Sequence, residues 1–324
     1  MLTRRFLLAT PPALMAPAIL VTPSRAQGNF QTFLGGIREE AQRHDVSRAT
    51  LDQAFANIQP NPKVIALDRK QPEFTMTWEQ YHARVISDQR IADGRAARQA
   101  NAALFRSIEE RFGVDPRVVA GIWGLESHFG TKTGGFQVIE AVATLAWEGR
   151  RASFFRAELL AALRILENRD IAIANMSGSY AGAMGQPQFM PTSFLRLAVD
   201  FDGDGRKDIW NSRPDALASI ANYLQKSGWI RGESWGQKVL LPTNLPTTIV
   251  GRDNRRSLND WRNMGIQLLE KPRAGSTAPS AIIQPDGQGN PAFLIYKNFD
   301  AIKRYNPSDF YALAVGLIGD RIGA

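Results

Sequence analysis

From Asp115 to Gly130 the chain reads Asp-Pro-Arg-Val-Val-Ala-Gly-Ile-Trp-Gly-Leu-Glu-Ser-His-Phe-Gly. A capping carboxylate followed by proline at the first helical position starts a helix. Gly130, with Gly134 and Gly135 behind it, supplies the stop. Val119, Ile122, Glu126 and Phe129 fall three and four apart, so one face carries all four. A face this apolar has to be buried, and the rest of the chain has to fold around it. Glu126 is carried in with it. A carboxylate among Val, Ile, Trp and Phe loses water, and the C-terminal end of the helix dipole opposes its charge. Both effects raise its pKa, which suits a general acid. Taken alone, Glu126 also fits a solvated helical glutamate, so the remaining segments decide.

Helical patterns flank this segment. Phe30, Phe33, Ile37 and Ala41 repeat at helical spacing, and Ser47 caps a short helix carrying Leu51, Ala54 and Phe55. Residues 59–74 read as a proline-bearing loop. Trp78, Tyr81, Val85 and Ile91, then Leu104, Ile108 and Phe112, mark long amphipathic helices. Residues 27–114 therefore read as a helical scaffold without a chemical constellation; a family resemblance, carried by the motifs that follow, implies that 297–324 completes it. Residues 115–236 stay helical but gather glycine and polar residues at 149–151, 177–185 and 200–205, the kind of loop where function concentrates. After Gly236 the composition changes. Runs at 238–241, 247–250, 266–269, 281–284 and 293–296 are β-like, the last two flanking a longer hairpin turn. The fold class is mainly α (α+β), with a small β-rich unit at 237–296 and a helix over 308–322.

Asp200-Phe201-Asp202-Gly203-Asp204-Gly205-Arg206 places acids at alternate positions and glycine at the sixth, the front of an EF-hand loop. The twelfth position is Asn211 rather than glutamate. Asp215 is placed to close a longer loop, and the Arg206 carbonyl is a further ligand. The segment reads as a structural site for a hard cation, calcium or sodium, or as an acidic turn. Arg150-Arg151 suits bidentate binding of a carboxylate or a sugar-peptide, and equally a solvated surface. Ser179 to Gly185 is dense in small residues that admit a ligand to the backbone. Gln186 and Gln188 add amides beside Phe189 for sugar hydroxyls; a packing loop is the competing reading. His128 lies two residues past Glu126 and faces away, as a surface histidine. Three histidines and no cysteine argue against zinc.

The absence of cysteine also removes disulfides, a thiol nucleophile and a lipidated cysteine. Residues 1–26 open with Arg4-Arg5, continue through an apolar run and end Ser24-Arg25-Ala26, the layout of a cleaved export signal. Thr3-Arg4-Arg5-Phe6-Leu7-Leu8 resembles a twin-arginine signal; the Sec route is the other option. Three prolines make the run a poor membrane anchor. The net charge of +8 suits either anionic partners or a mildly basic solvated surface. No basic run interleaved with aromatics points to nucleic acid.

These stretches together resemble the lytic murein transglycosylase B family, glycoside hydrolase family 103. The matching pieces are 121–130, Ala-Thr-Leu-Ala at 143–146, Arg150-Arg151, Gly178 to Gly185, Gln188-Phe189-Met190-Pro191, the Asp200 loop, Asn222-Tyr223 and Arg304-Tyr305-Asn306. They run in family order over most of the chain beyond the signal. The resemblance implies a lysozyme-like catalytic core, a helical domain built from both chain ends and an inserted β domain. It implies cleavage of the β-1,4 bond between N-acetylmuramic acid and N-acetylglucosamine in peptidoglycan without water, leaving a 1,6-anhydro end. It places the acid on Glu126 and substrate contacts on Arg150, Arg151, Ser179, Gln188, Tyr223, Tyr305, Asn306 and Tyr311. It places cation ligands on Asp200, Asp202, Asp204, Arg206 and Asp215, with no catalytic cofactor. The best-known member is a lipoprotein; with no cysteine to acylate, this chain is expected to be a periplasmic monomer, not inserted in a membrane. A hydrolytic muramidase and a non-catalytic wall-binding protein are the alternatives.

Overall fold

The computed structural model describes residues 29–70, 76–275 and 277–323. The expected export signal lies outside the described residues. The chain begins with α1 (Phe30–Arg43), α2 (Arg48–Phe55) and α3 (Pro62–Arg69), then α4 (Trp78–Val85), α5 (Asp88–Ala100), α6 (Ala102–Phe112) and α7 (Pro116–Ser127). A short strand β1 (Phe136–Gln137) leads into α8 (Val138–Glu148) and α9 (Ala152–Glu167). Next come β2 (Ser177–Gly178), α10 (Pro191–Leu197) and α11 (Arg213–Lys226). The β-rich part holds β3 (Gly236–Leu240), β4 (Arg256–Ser257), α12 (Leu258–Asn263), β5 (Gln267–Leu268), β6 (Pro279–Ile283) and β7 (Ala292–Ile295). Helices α13 (Lys297–Tyr305) and α14 (Asp309–Gly323) finish it. The architecture is mainly helical with two small sheets, a β1–β2 pair and a five-stranded sheet. Among the described residues no helix is long and apolar enough to cross a membrane.

Local chemistry sets several boundaries. Ser47 caps α2 through the Thr50 amide, as its spacing implies. The expected loop over 59–74 instead contains α3: Asn61 accepts from the amides of Lys63 and Val64, and Pro62 occupies the first turn. The long helices expected over 78–112 are three, because Thr77 and Ser87 each cap a fresh start and Asn101 separates α5 from α6. Residues 247–249 form a 3-10 turn rather than a strand. Helix α12 starts with a reciprocal Ser257–Asp260 capping box and buries Trp261.

The apolar faces assemble three cores. Leu34, Ile37, Leu51 and Val64 of α1–α3 pack with Val142, Leu159 and Phe194 of α8–α10. Ile108, Ile122 and Trp123 pack with Ile220, Phe299, Val315 and Ile318, joining α6 and α7 to α11, α13 and α14. The cores therefore cut across the ranges read along the chain, since α1–α3 join α8–α10 rather than the C-terminal helices. A helix face packs on whichever complementary face is within reach, and composition does not report that. The sheet, ordered β4-β6-β7-β3-β5, is antiparallel throughout. Ala281, Ile283, Phe293 and Ile295 point into the helical core, while Ile282 and Leu294 face Trp261 and Tyr296 in a third core. Successive residues point to opposite faces, and both faces are covered.

Helices α7 and α14 touch backbone to backbone. A methyl at Gly121 would lie 2.4 Å from the Val315 carbonyl oxygen, and one at Gly319 would lie 2.5 Å from that of Arg117. Only glycine permits that approach. It brings the start of α14 against the end of α7.

Candidate active site

Glu126 sits in the last turn of α7. The helix ends at Ser127, three residues before the expected glycine stop. His128 and Phe129 both take left-handed backbone, with φ of 49° and 57°. The His128 ring is held 2.9 Å from the Asp93 carboxylate on α5, so it is no free surface histidine. Phe129 leaves the helix and folds back edge-on to Trp123, with ring centroids 5.5 Å apart.

The Tyr311 hydroxyl, from α14, donates to Glu126 Oε1 at 2.6 Å. Burial pushes the Glu126 carboxyl up from 4.5 to about 7, and the Tyr311 hydrogen bond pulls weakly the other way. Part of the side chain remains exposed, as a group that must meet a substrate requires. Tyr311 stacks nearly parallel to Tyr305, with centroids 6.4 Å apart, and Tyr305 lies 4.6 Å from the Tyr223 ring. Phe189 packs against both Tyr223 and Tyr305. Burial, then the nearby Glu126 charge, holds Tyr305 and Tyr311 far above the ordinary tyrosine value, so both stay protonated. Tyr305 donates to the Pro187 carbonyl and Tyr223 to that of Arg304, each at 2.5 Å. One wall of stacked rings therefore ends at the acid.

The turn opposite is built from small residues and amides. Ser179 Oγ accepts from the amides of Ala181 and Ala183 and shapes it. Gln188, with φ of 51°, donates to the carbonyls of Thr133 and Gly185. Gln186 is not a sugar-facing amide. It is buried, accepts from Trp123 Nε1 at 3.0 Å and donates to the Trp210 carbonyl at 3.1 Å, fastening this turn to α7. Asn306 Oδ1 accepts from the Ser308 amide ahead of α14.

Arg150 and Arg151 form a separate cluster between α8 and α9. Both bind Asp68, which is 3% exposed, and Arg151 also lies over the Phe155 ring. Asp68 had no signal in the sequence; it lies more than eighty residues from its partners. The other acids of this region are committed. Glu140 accepts from Asn61 at 2.6 Å, Glu148 pairs with Arg69 at 2.7 Å, and Glu158 accepts from the amide and hydroxyl of Thr192.

In the acidic loop, Asp200, Asp202 and Asp204 each bring one carboxylate oxygen within 4.8 Å of the others. Such spacing fits oxygens around one hard cation. Asp200 also accepts from the amides of Gly203 and Gly205, and Arg206 pairs through its side chain with Asp204. Asp215, expected as the closing ligand, lies outside this trio. It is fully buried and accepts from the amides of Phe201 and Asp208 at 2.7 and 2.8 Å, as a strut beneath the loop.

A carboxyl whose pKa is raised to about 7, presented at a helix end beside stacked tyrosines, is the equipment of a glycan-cleaving enzyme. Residues 29–320 match the Transglycosylase SLT domain family. The chain is 30% identical over 306 residues to the membrane-bound lytic murein transglycosylase B of Escherichia coli (strain K12), covering 91% of this chain and 82% of the relative. It superposes on SltB3 from Pseudomonas aeruginosa in complex with NAG-anhNAM-pentapeptide with a TM-score of 0.88 at 42% identity, covering 92% of this chain and 80% of that one. On the Escherichia coli lytic transglycosylase Slt35 in complex with calcium, the TM-score is 0.76 at 27% identity, over 92% and 93% of the two chains. The chain belongs to the SLT transglycosylase family. It is a lytic transglycosylase with a lysozyme-like catalytic core.

Proposed function

We propose that this enzyme cleaves the MurNAc-β-1,4-GlcNAc bond of peptidoglycan without water, with Glu126 as its single acid and base. The observation that carries this reading is the raised pKa of Glu126 in a region whose other acids are already bound. Ordinary glycosidases need a second carboxylate as nucleophile or base. Here Glu126 gives its proton to the glycosidic oxygen as the bond from the muramic anomeric carbon breaks. The acetamide of the same sugar shields the positive centre. The 6-hydroxyl then attacks that carbon and returns its proton to Glu126, closing the 1,6-anhydro ring. Tyr311 holds the carboxylate between the two steps. Tyr223, Tyr305, Ser179, Gln188 and Asn306 line the glycan path, and Arg150 with Arg151 meets the anionic parts of the strand. The naming of an anhydro sugar in the SltB3 complex supports the same product class. Digestion of purified sacculi followed by mass spectrometry tests it. Muropeptides one water lighter than hydrolytic products are expected; free reducing muramic acid overturns the reading.

We also propose catalytic residues within 115–236, an inserted β unit at 237–296, and an exported periplasmic monomer. The acidic loop is proposed to hold calcium through Asp200, Asp202 and Asp204 with the Arg206 carbonyl. The Slt35 complex with calcium supports this. Calcium at a hundred times its Kd is expected to stabilise the fold by about 2.7 kcal/mol, several degrees in Tm. Asp202→Ala is expected to abolish that rise; equal melting with calcium and with chelator would remove the site.

A further inference from the structure

A second groove lies at the other end of the α7–α14 pair, about 14 Å along the helices from Glu126 and Tyr311. It consists of two adjoining hollows of about 690 and 310 Å³ that share His82, Lys238 and Leu317. The larger is walled by Arg117, Lys238, Arg273 and Arg321 against only two acids, Glu270 and Asp320. Arg117 is held by Asp115, and Arg273 is held by Asp320 and Glu270. Arg321 pairs with Asp88 at 2.7 Å, where both side chains are exposed and the pair is weak. Lys238 is exposed and has no ion-pair partner among the described residues. The positive excess is felt locally. Burial lowers the pKa of His82, and Lys238 and Arg321 push it the same way.

Gln237 supplies an independent observation. It is 1% exposed in the wall of the larger hollow. Its Oε1 accepts from the Arg273 amide at 3.0 Å, but its Nε2 has no acceptor. A buried amide donor left unpaired costs about 1–3 kcal/mol, and an incoming oxygen ligand relieves it. The smaller hollow continues over Trp78, Phe293 and Pro291, edged by Asn290 and by two acids, Glu79 and Asp286, of which Asp286 is engaged by the amides of Trp78 and Glu79. A cationic end with an unpaired amide donor, running into a narrow apolar strip, suits an anionic oxygen ligand carrying a short chain of small side chains.

We propose that this groove binds the free carboxylate end of a peptide stem, as a contact separate from the Glu126 cleft. The peptide source rests on the peptidoglycan reading above; the groove's preference for a carboxylate does not. Lys238 and Arg321 draw the carboxylate in, Gln237 donates to it, and the strip beside Trp78 takes the alanine methyls. The contact would hold a peptide-bearing strand on the enzyme while another part of it occupies the cleft.

The test is titration of the Glu126→Gln protein with a synthetic stem pentapeptide free of sugar, followed by calorimetry. Binding is expected, weakening as salt rises, and at least about tenfold weaker for the same peptide with its C-terminus amidated. Lys238→Glu combined with Arg321→Glu is expected to lose at least about tenfold in affinity. Both side chains are exposed, so the fold is expected to survive, checked by an unchanged Tm. In the Glu126-containing enzyme, the same pair is expected to leave turnover of peptide-stripped glycan unchanged and to slow release from intact sacculi. No binding, equal binding of the amidated peptide, or binding indifferent to the double variant would each overturn the proposal. Because the titration needs no turnover, it stands or falls separately from the product analysis.

Discussion

Glu126→Gln is expected to lower turnover at least about a thousandfold while leaving glycan binding within a few-fold of the parent. General acid–base catalysis contributes roughly 10²–10⁴-fold per role, and this carboxyl is assigned both proton transfers. Glutamine keeps the shape and still accepts from Tyr311, so a loss of binding is not expected. The same substitution carries a stability signature. Burial pushes the Glu126 carboxyl up to about 7 in the fold, against 4.5 for an ordinary glutamate. The folded state thus holds this proton more tightly than the unfolded chain. Its favourable contribution is complete below pH 4.5 and is lost as pH rises through 7, when a charge must sit in the apolar site. That difference corresponds to about 3 kcal/mol. Glu126→Gln is therefore expected to match the parent in stability near pH 4 and to exceed it by up to that amount near pH 9. Activity of the parent is expected to fall along the same limb. Denaturant melts at the two pH values check the first, and a pH–rate profile the second. Wild-type turnover in the variant, or parallel stability at both pH values, would remove Glu126 from its role.

Gly121→Ala is expected to destabilise the fold by about 3 kcal/mol, roughly 5–10 °C in Tm. In an open helix the same change stabilises, by up to about 1 kcal/mol. Here the added methyl meets the Val315 carbonyl oxygen at 2.4 Å, and a backbone atom inside a packed core has little room to retreat. The clash pushes α14 off α7 and separates Tyr311 from Glu126, so activity is expected to fall with stability. Gly35→Ala on α1, where nothing lies within 4 Å, is the control and is expected to be neutral or stabilising. Equal melting of the two variants would mean the helices do not depend on that close approach.

Local signals were legible in the sequence, and distant ones were not. The start of α7 is written in Asp115-Pro116, the cap of α2 in Ser47, and the β6–β7 hairpin in two apolar runs around a turn. Asn61-Pro62 carries the same start code for α3, and Ser257 with Asp260 carries that of α12. Both were readable, but proline pointed to a loop at the first, and the second fell unread between two β-like runs. The end of α7 was not readable, because His128 and Phe129 take backbone that usually calls for glycine; the Asp93 bond and the Trp123 ring hold them there. The pairing of Asp68 with Arg150 and Arg151, and of Gln186 with Trp123, joins segments far apart in the chain and leaves no periodic trace. Tyr311 entered through family resemblance alone. Nothing in its neighbourhood in the chain suggests that its hydroxyl ends on the acid. Asp215 is legible as an acid near acids; its burial under the loop amides is a matter of packing.

The hydrogen bond from Tyr311 to Glu126 joins positions 185 residues apart. The acid belongs to α7, while its partner comes from α14. A chain clipped before residue 309 therefore carries the cutting residue in an unfinished setting. The geometry of the acid thus depends on a segment remote from it in the chain, and cutting the two apart would leave the carboxyl in place without the hydroxyl that holds it.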